Sequence, residues 1–429
     1  LKSLKKPLGR LGLLLFGLLA PLLALEIGVG LLDLAPPPEP NPAIWQPHPL
    51  FGWWHIPYSG GLFHSQYNEF EAEVRINARS LREREIGYDN PTGALRILSL
   101  ADSFGEALQV SLEQTYHKQL ETLLADSLGR PVEVINASVG GWGTDQEAIF
   151  YVAEGFRYEP KVVLLAFFTR NDTVNNYGPL EIASNGGSQQ KGFFTLSPQG
   201  ELILPPVPEV ALAKNQESRL QSGLPGESEI ENGPPLLPLA DGLWGISALY
   251  RLVVPYLRDI PPVVQTLGRS GILGGEGVVR AGHPTTPVHF YVYQSPPDEQ
   301  FEAAWQLTEA IIERLRDEVE QRGARLVVVI IGAPEQVYRE QWEQMLAANP
   351  ALQALTLDVE APNKRLAAFL SEEKIPHLDL LPIFRQAAVQ PDTPPLHFLH
   401  DGHWTPAGHR LAAQAIHDFL QAELGETVK

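Results

Sequence analysis

From residue 95 to residue 424 the chain alternates short apolar runs with stretches of helical spacing, and this alternation constrains the fold more than any other feature. Lys161-Val-Val-Leu-Leu-Ala-Phe-Phe168 is almost continuously apolar, as expected of a parallel strand covered on both faces. Leu95–Ala101, Val132–Ala137, Arg325–Ile331 and His377–Leu381 are further strand candidates. Thr115–Leu128, Asp145–Phe156, Asn363–Leu370 and Ala407–Leu424 carry helical spacing. Phe301, Ala304, Trp305, Thr308, Ile311, Ile312, Leu315 and Val319 mark one face of another helix, which Gly323 closes. Strand and helix in this order predict an α/β fold, a three-layer sandwich whose five-stranded parallel sheet has helices on both faces. Ligands of such sheets bind beyond the carboxyl ends of the strands.

The N-terminus reads differently. Lys2, Lys5, Lys6 and Arg10 precede an apolar run that continues from Leu11 past Glu26 to Leu32. Those 22 residues would make a helix of roughly 33 Å, long enough to cross a bilayer. The basic flank should stay cytoplasmic and the remainder should be exported. The expectation is an N-terminal transmembrane helix in a bacterial inner (plasma) membrane, single-pass, with the catalytic domain in the periplasm or extracellular. Two alternatives stay open: a signal peptide cut after Gly30, and a buried core helix. Glu26 is costly inside a bilayer and reads as an interfacial residue.

The organisation that follows is an anchor at 1–34, a Pro-rich linker and lead-in at 35–90, and a catalytic domain at 91–429. An insertion rich in Pro, Gly, Ser and Asn interrupts that domain at about 175–298. Its position after the third strand suggests a lid or substrate platform, and its apolar piece Leu243–Leu257 is expected to pack on the body. A net charge of −19 repels phosphate backbones and argues against a nucleic-acid partner. With 0 Cys, thiol nucleophiles, thiolate metal sites and disulfides are excluded together. No Walker A loop, dinucleotide fingerprint or HExxH motif occurs, so no cofactor is expected.

Four segments fall at the strand ends: Ala101-Asp102-Ser103, Asn136–Thr144 with its glycines, Thr169-Arg170-Asn171-Asp172, and the loop carrying His397, His400, Asp401, His403 and His409. Together they supply a hydroxyl, an imidazole, a carboxylate, an amide and Gly-rich backbone. Acyl transfer needs these groups: serine is a weak nucleophile until a histidine takes its proton, and a carboxylate must orient that histidine. The oxyanion then needs N–H donors. The spacing of His397, His400 and His403 also invites a zinc site. Pro394, Pro395, Gly402 and Pro406 make the segment a loop, however, and a metal leaves Ser103 and Asn171 unexplained.

Asp102-Ser103 after a strand, Asn136-x-x-x-x-Gly141, Asn171-Asp172 and a terminal Asp401-x-His403 resemble the four blocks of the SGNH (GDSL-type) hydrolases. The resemblance runs from about residue 90 to 424 outside the insertion, and it implies a flavodoxin-like fold. It implies Ser103 as nucleophile, His403 as base, Asp401 as its orienting carboxylate, and an oxyanion hole of the Ser103 N–H, the Gly141 N–H and the Asn171 side chain. Ile76–Arg82 resembles a strand-turn lead-in of membrane-anchored members. Two positions depart from the pattern: Ala101 stands where a glycine is usual, and the last block is Asp-x-His rather than Asp-x-x-His. That shorter spacing resembles the SGNH domains of alginate O-acetyltransferase-like proteins.

The expected function is therefore an extracytoplasmic serine esterase removing acyl groups, acetyl first among them, from a carbohydrate or similar ester. An O-acyltransferase using the same residues is one alternative, and a catalytically dead carbohydrate-binding scaffold is another. Trp53, Trp54 and Trp142 offer rings for sugar stacking, although packing is the simpler reading for Trp53 and Trp54.

Overall fold

The computed structural model describes residues 5–184, 191–204, 239–258 and 286–423, with single positions at 260, 263, 267, 272 and 273. Most of the insertion, including the Asn185–Ser188 stretch, lies outside the described residues, as do Lys2 and the side chains of Leu11, Leu14 and Leu15. Two compact units result. One is built from 1–41, 64–71 and 230–285, the other from 42–63, 72–229 and 286–429.

The larger unit contains the sheet. Its strands are β1 (Leu95–Ala101), β2 (Val132–Asn136), β3 (Val162–Phe168), β4 (Arg325–Ile331) and β5 (His377–Asp379). They pair in the order β2-β1-β3-β4-β5, parallel throughout. Every residue of β1 and β3 is buried, which is why β3 reads as an unbroken apolar run and β1 as one broken only by Arg96 and Ser99. Alternate residues face opposite cores. Leu98, Leu100, Val163, Leu165, Phe167, Val328 and Ile330 belong to one; Ile97, Val162, Leu164, Ala166, Val327, Val329 and Ile331 belong to the other.

Helices cover both cores. On the first face lie Thr144–Ala153, Glu299–Gln321 and Ala361–Glu372; on the second lie Tyr116–Leu128, Leu381–Ala388 and Pro406–Glu423. The fold is thus the expected three-layer sandwich. All eight residues assigned to the inner face of Glu299–Gln321 are buried. That helix starts at Asp298, whose side chain accepts from the Phe301 N–H at 2.9 Å, and Gly323 follows it at φ +74°. Some boundaries shift: β5 ends at Asp379, whose carboxylate caps the Leu381 N–H at 2.9 Å, the helix from Thr144 gives way to a 3₁₀ turn at Gly155, and the helix expected at Asn363–Leu370 runs from Ala361 to Glu372.

The lead-in is more structured than its sequence suggests. Trp45–His48 pairs antiparallel with Gly52–His55. After the strand Glu71–Arg75 the chain turns around Asn77, whose side-chain oxygen accepts from the N–H groups of Arg79 and Leu81 at 2.8 and 3.0 Å.

The smaller unit contains α1 (Lys5–Leu31), α2 (Leu239–Ile246) and α3 (Ala248–Arg258). Within α1 the described side chains are Leu13 and those from Phe16 onward. Among the described residues no helix is long and apolar enough to cross a membrane. The apolar piece Leu243–Leu257 has α1 as its packing partner in this unit.

Candidate active site

The sheet order reverses direction between β1 and β3, so the carboxyl ends of these strands flank a crevice. Ser103 follows β1 directly, as the first residue of a four-residue helix. Asp102 caps that helix, its Oδ1 accepting from the Phe104 N–H at 2.9 Å. Ala101, the unusual residue before it, is the last residue of β1 and is absent from the positive-φ positions, so its methyl is accommodated.

His403 reaches Ser103 from the C-terminal loop, 300 residues away in sequence. Its Nε2 lies 2.7 Å from Ser103 Oγ and its Nδ1 lies 2.7 Å from Asp401 Oδ1. The Asp401 carboxylate also accepts from the His403 backbone N–H at 3.2 Å and from the Gln109 side chain. Burial alone would raise the Asp401 pKa, but these hydrogen bonds and the nearby imidazole hold it below its ordinary value. The loop is set by the next residue: Trp404 is buried and its ring centroid lies 5.1 Å from that of Phe104. Phe104 also meets the His403 ring at 5.0 Å.

The expected oxyanion donors converge on the same place. Gly141 has φ +76°, a region open to glycine and strained for other residues. A methyl on the preceding Gly140 would come within 2.6 Å of Glu106 Oε2 and 3.7 Å of Ser103 Cβ, so only glycine lets this backbone approach the nucleophile. Among the described residues, the N–H groups of Ser103 and Gly141 have no hydrogen-bond partner. The Asn171 side chain donates to Asp102 Oδ2 at 3.1 Å, which fixes the amide beside the serine and leaves its second Nδ2 hydrogen available.

Several further residues hold this geometry, in ways the sequence does not announce. Asn175 donates to the Gly141 carbonyl at 2.8 Å, and the Trp53 indole N–H donates to the Gly140 carbonyl at 2.9 Å. Trp142 donates in turn to the Trp53 carbonyl at 3.2 Å. Trp142 is fully buried and stacks on Trp54 at 5.0 Å, which corrects the sugar-stacking expectation for Trp142 and agrees with the packing reading of Trp54. The base of the insertion does reach the site, through Asn175.

The other histidines take separate roles. His397 and His409 are buried, and burial, reinforced by neighbouring positive charges, pushes each down to about 3. His397 Nδ1 lies 3.3 Å from the Tyr338 hydroxyl, and His409 Nδ1 accepts from the Tyr116 N–H at 3.3 Å. His400 is exposed.

Behind the serine lies a group of buried acids: Asp102, Asp145, Glu147 and Asp172 are all 0% exposed. Lys191 pairs with Asp145 at 2.7 Å. Neither Glu147 oxygen meets a hydrogen-bond donor among the described residues. Burial, with Asp102 and Asp145 nearby, pushes Glu147 well above its ordinary value. A carboxyl raised on folding contributes fully below its unfolded pKa and loses that contribution as pH rises toward its native one. Glu147→Gln should therefore stabilise the protein, and by more at pH 8 than at pH 5. Thermal melts across that range check this; a gain independent of pH would mean that Glu147 does not bind its proton more tightly on folding.

Residues 290–429 match the model of an SGNH hydrolase-like domain, acetyltransferase AlgX. No curated protein matches the chain. Among solved structures, a GDSL-like lipase from Bacteroides thetaiotaomicron is similar at 9% identity over 76% of this chain and 88% of its own, with a TM-score of 0.32. An acetyl-xylooligosaccharide esterase from Geobacillus is similar at 9% identity over 77% of this chain and 96% of its own, with a TM-score of 0.36. A two-domain esterase active on acetylated mannans is similar at 11% identity over 78% of this chain and 50% of its own, with a TM-score of 0.33. With four motif blocks at the strand ends of a five-stranded parallel sheet and this match over its C-terminal part, the chain has the fold of an SGNH hydrolase and carries an SGNH hydrolase-like domain.

Proposed function

We propose that this protein is a membrane-anchored serine esterase that removes acetyl groups from an extracytoplasmic carbohydrate or similar ester. The observation that carries the reading is the continuous relay from Asp401 through His403 to Ser103, with two contacts of 2.7 Å. His403 Nε2 takes the Ser103 proton as Oγ attacks the acyl carbonyl, and Asp401 holds the Nδ1–H and stabilises the imidazolium. The oxyanion receives the N–H groups of Ser103 and Gly141 and an Asn171 Nδ2 hydrogen. Collapse expels the alcohol, which leaves with the proton from His403. Water then attacks the acyl-serine, with His403 again accepting the proton, and free acid departs. The acetyl group is suggested by the acetyltransferase named in the matching model.

That match and the Asp401-x-His403 spacing also favour a second reading, in which a sugar hydroxyl replaces water in the last step. A product assay on acetylated glycans with and without acceptor sugar separates them: free acetate without acceptor supports hydrolysis, and acetyl transfer only with acceptor supports the second. A fluorophosphonate probe should label Ser103; an unlabelled protein would be the dead scaffold. Asp401→Asn should reduce turnover by up to about 10⁴-fold, measured on an activated acetyl ester. A loss under tenfold would remove Asp401 from the relay.

For location, the basic residues ahead of an apolar run and a Pro-rich spacer support an anchor with the catalytic domain outside the cytoplasm. Deleting residues 1–34 should release an active enzyme from membranes.

A further inference from the structure

Glu26 interrupts the apolar run, and its partners lie more than 220 residues away. One carboxylate oxygen accepts from the Ala248 N–H at 2.7 Å; the other accepts from Ser247 Oγ at 2.6 Å and the Leu249 N–H at 3.1 Å. Ser247 Oγ accepts from the Tyr250 N–H at 3.1 Å, and the Ser247 carbonyl accepts from the Arg251 N–H at 3.1 Å. The first four N–H groups of α3 are therefore all satisfied without water, two of them by a side chain of α1. A helix start in water needs no such provision, because solvent satisfies the free donors. A helix start in a lipid phase requires it, since an unpaired N–H there costs several kcal/mol.

The surroundings agree. Leu18, Leu19, Leu22, Leu23, Leu25 and Ile27 of α1 are between 44% and 63% exposed. With Leu13 and Phe16 they cover more than half of the helix circumference, at about 100° per residue. On α2 and α3, Ile246 is 81% exposed and Val253 and Tyr256 are also exposed. The charged groups of α3 are engaged within this unit: Arg251 donates to the Pro36 and Trp244 carbonyls, and Arg258 donates to the Leu273 carbonyl and Gln66. Trp244, Tyr250 and Tyr256 give the pair the aromatic composition of a membrane–water interface.

We propose that α2 and α3, clasped to α1 by Glu26, sit in the outer interfacial layer of a bilayer, so that this part of the insertion faces lipid. The proposal rests on α1 being an anchor. It explains how an acid is tolerated within an apolar helix.

The test uses the absence of cysteine in the chain. Full-length Ile246→Cys and Leu18→Cys variants, labelled with an environment-sensitive fluorophore, are reconstituted into phosphatidylethanolamine–phosphatidylglycerol vesicles containing doxyl-labelled lipid. Both labels should lose fluorescence, roughly two-fold at residue 246. Adding Glu26→Leu should abolish quenching at 246 and leave it at 18. Quenching at 18 alone overturns the proposal while the anchor stands. Quenching at neither overturns both. Undiminished quenching at 246 in the Glu26→Leu background overturns the clasp.

Discussion

Ser103→Ala should reduce esterase turnover to the uncatalysed background and abolish fluorophosphonate labelling, because among the described residues no other hydroxyl near the site has an imidazole within 2.7 Å. His403→Ala should do nearly the same. At neutral pH the serine keeps its proton unless a base removes it, so the two substitutions disable one unit and their effects should not add. The double variant is therefore expected to be no slower than either single variant. Asn171→Ala should cost less, roughly 10²–10³ in kcat, as the loss of one oxyanion donor. His409→Ala addresses a different residue: it removes a buried acceptor for the Tyr116 N–H, 3.3 Å away, and should lower stability before it lowers turnover. Rates on an activated acetyl ester, with folding followed by circular dichroism, give the order. If His409→Ala or His400→Ala removes activity from folded protein while His403→Ala does not, the assignment of the base is wrong.

The parts of this molecule that were legible in sequence are those in which one physical demand dominates. β1, β3 and β4 read correctly to within a residue because a strand buried on both faces is predominantly apolar, and the polar exceptions inside β1 are paired, Arg96 with Glu133 and Ser99 with the Tyr116 hydroxyl. The Asp102-Ser103 and Asn171-Asp172 blocks stand out because each follows such a strand, where polar residues are conspicuous; Asp401 and His403 lie beyond the helix Leu381–Ala388 and stand out only as part of a His-rich loop. The short strands at Trp45–His48 and Gly52–His55 did not read. Four residues hold too few alternations, and their burial depends on neighbours far along the chain. Trp142 was offered as a sugar platform because a tryptophan in a glycine loop looks exposed; it is instead the fully buried member of a stack with Trp54. Glu147 lies on a helix whose acids look solvated, and only the packed fold reveals that it has no donor. Glu26 has the same character: its cost was visible in sequence, its partners were not.

Arg82→Leu should lower the unfolding free energy by about 3–5 kcal/mol, the scale for removing one member of a buried charged network. The reason lies in how the nucleophile is held. The helix Ser103–Glu106 has four residues, too few to be stable alone, and the chain leaves it through Ala107 at φ +54°. Arg82 is 1% exposed and its guanidinium donates to the Glu106 carbonyl at 2.6 Å, the Ala107 carbonyl at 2.7 Å and the Val110 carbonyl at 2.5 Å. Burial lowers its pKa to about 10, against the pull of Glu106 and Glu83, so it stays charged at neutral pH. The Glu106 carboxylate is fixed independently by His55 at 2.7 Å and the Trp45 indole at 2.8 Å. The lead-in thus grips the nucleophile turn at both its backbone and its side chain. Leucine would leave the Glu106 and Val110 carbonyls without donors and the Ala107 carbonyl with only the Val110 N–H at 3.3 Å, and the turn would shift to find others. Turnover per folded molecule should then fall while KM for a small acetyl ester changes little, because the displaced group is Ser103 and not a binding surface. Arg82→Lys should recover part of the stability and less of the rate, since an ammonium lacks the planar fork that spans three carbonyls. Denaturant midpoints and single-turnover acylation rates measure the two effects separately. An unchanged midpoint for Arg82→Leu would mean that the turn is self-supporting, and equal rescue of stability and rate by lysine would mean that charge alone holds it.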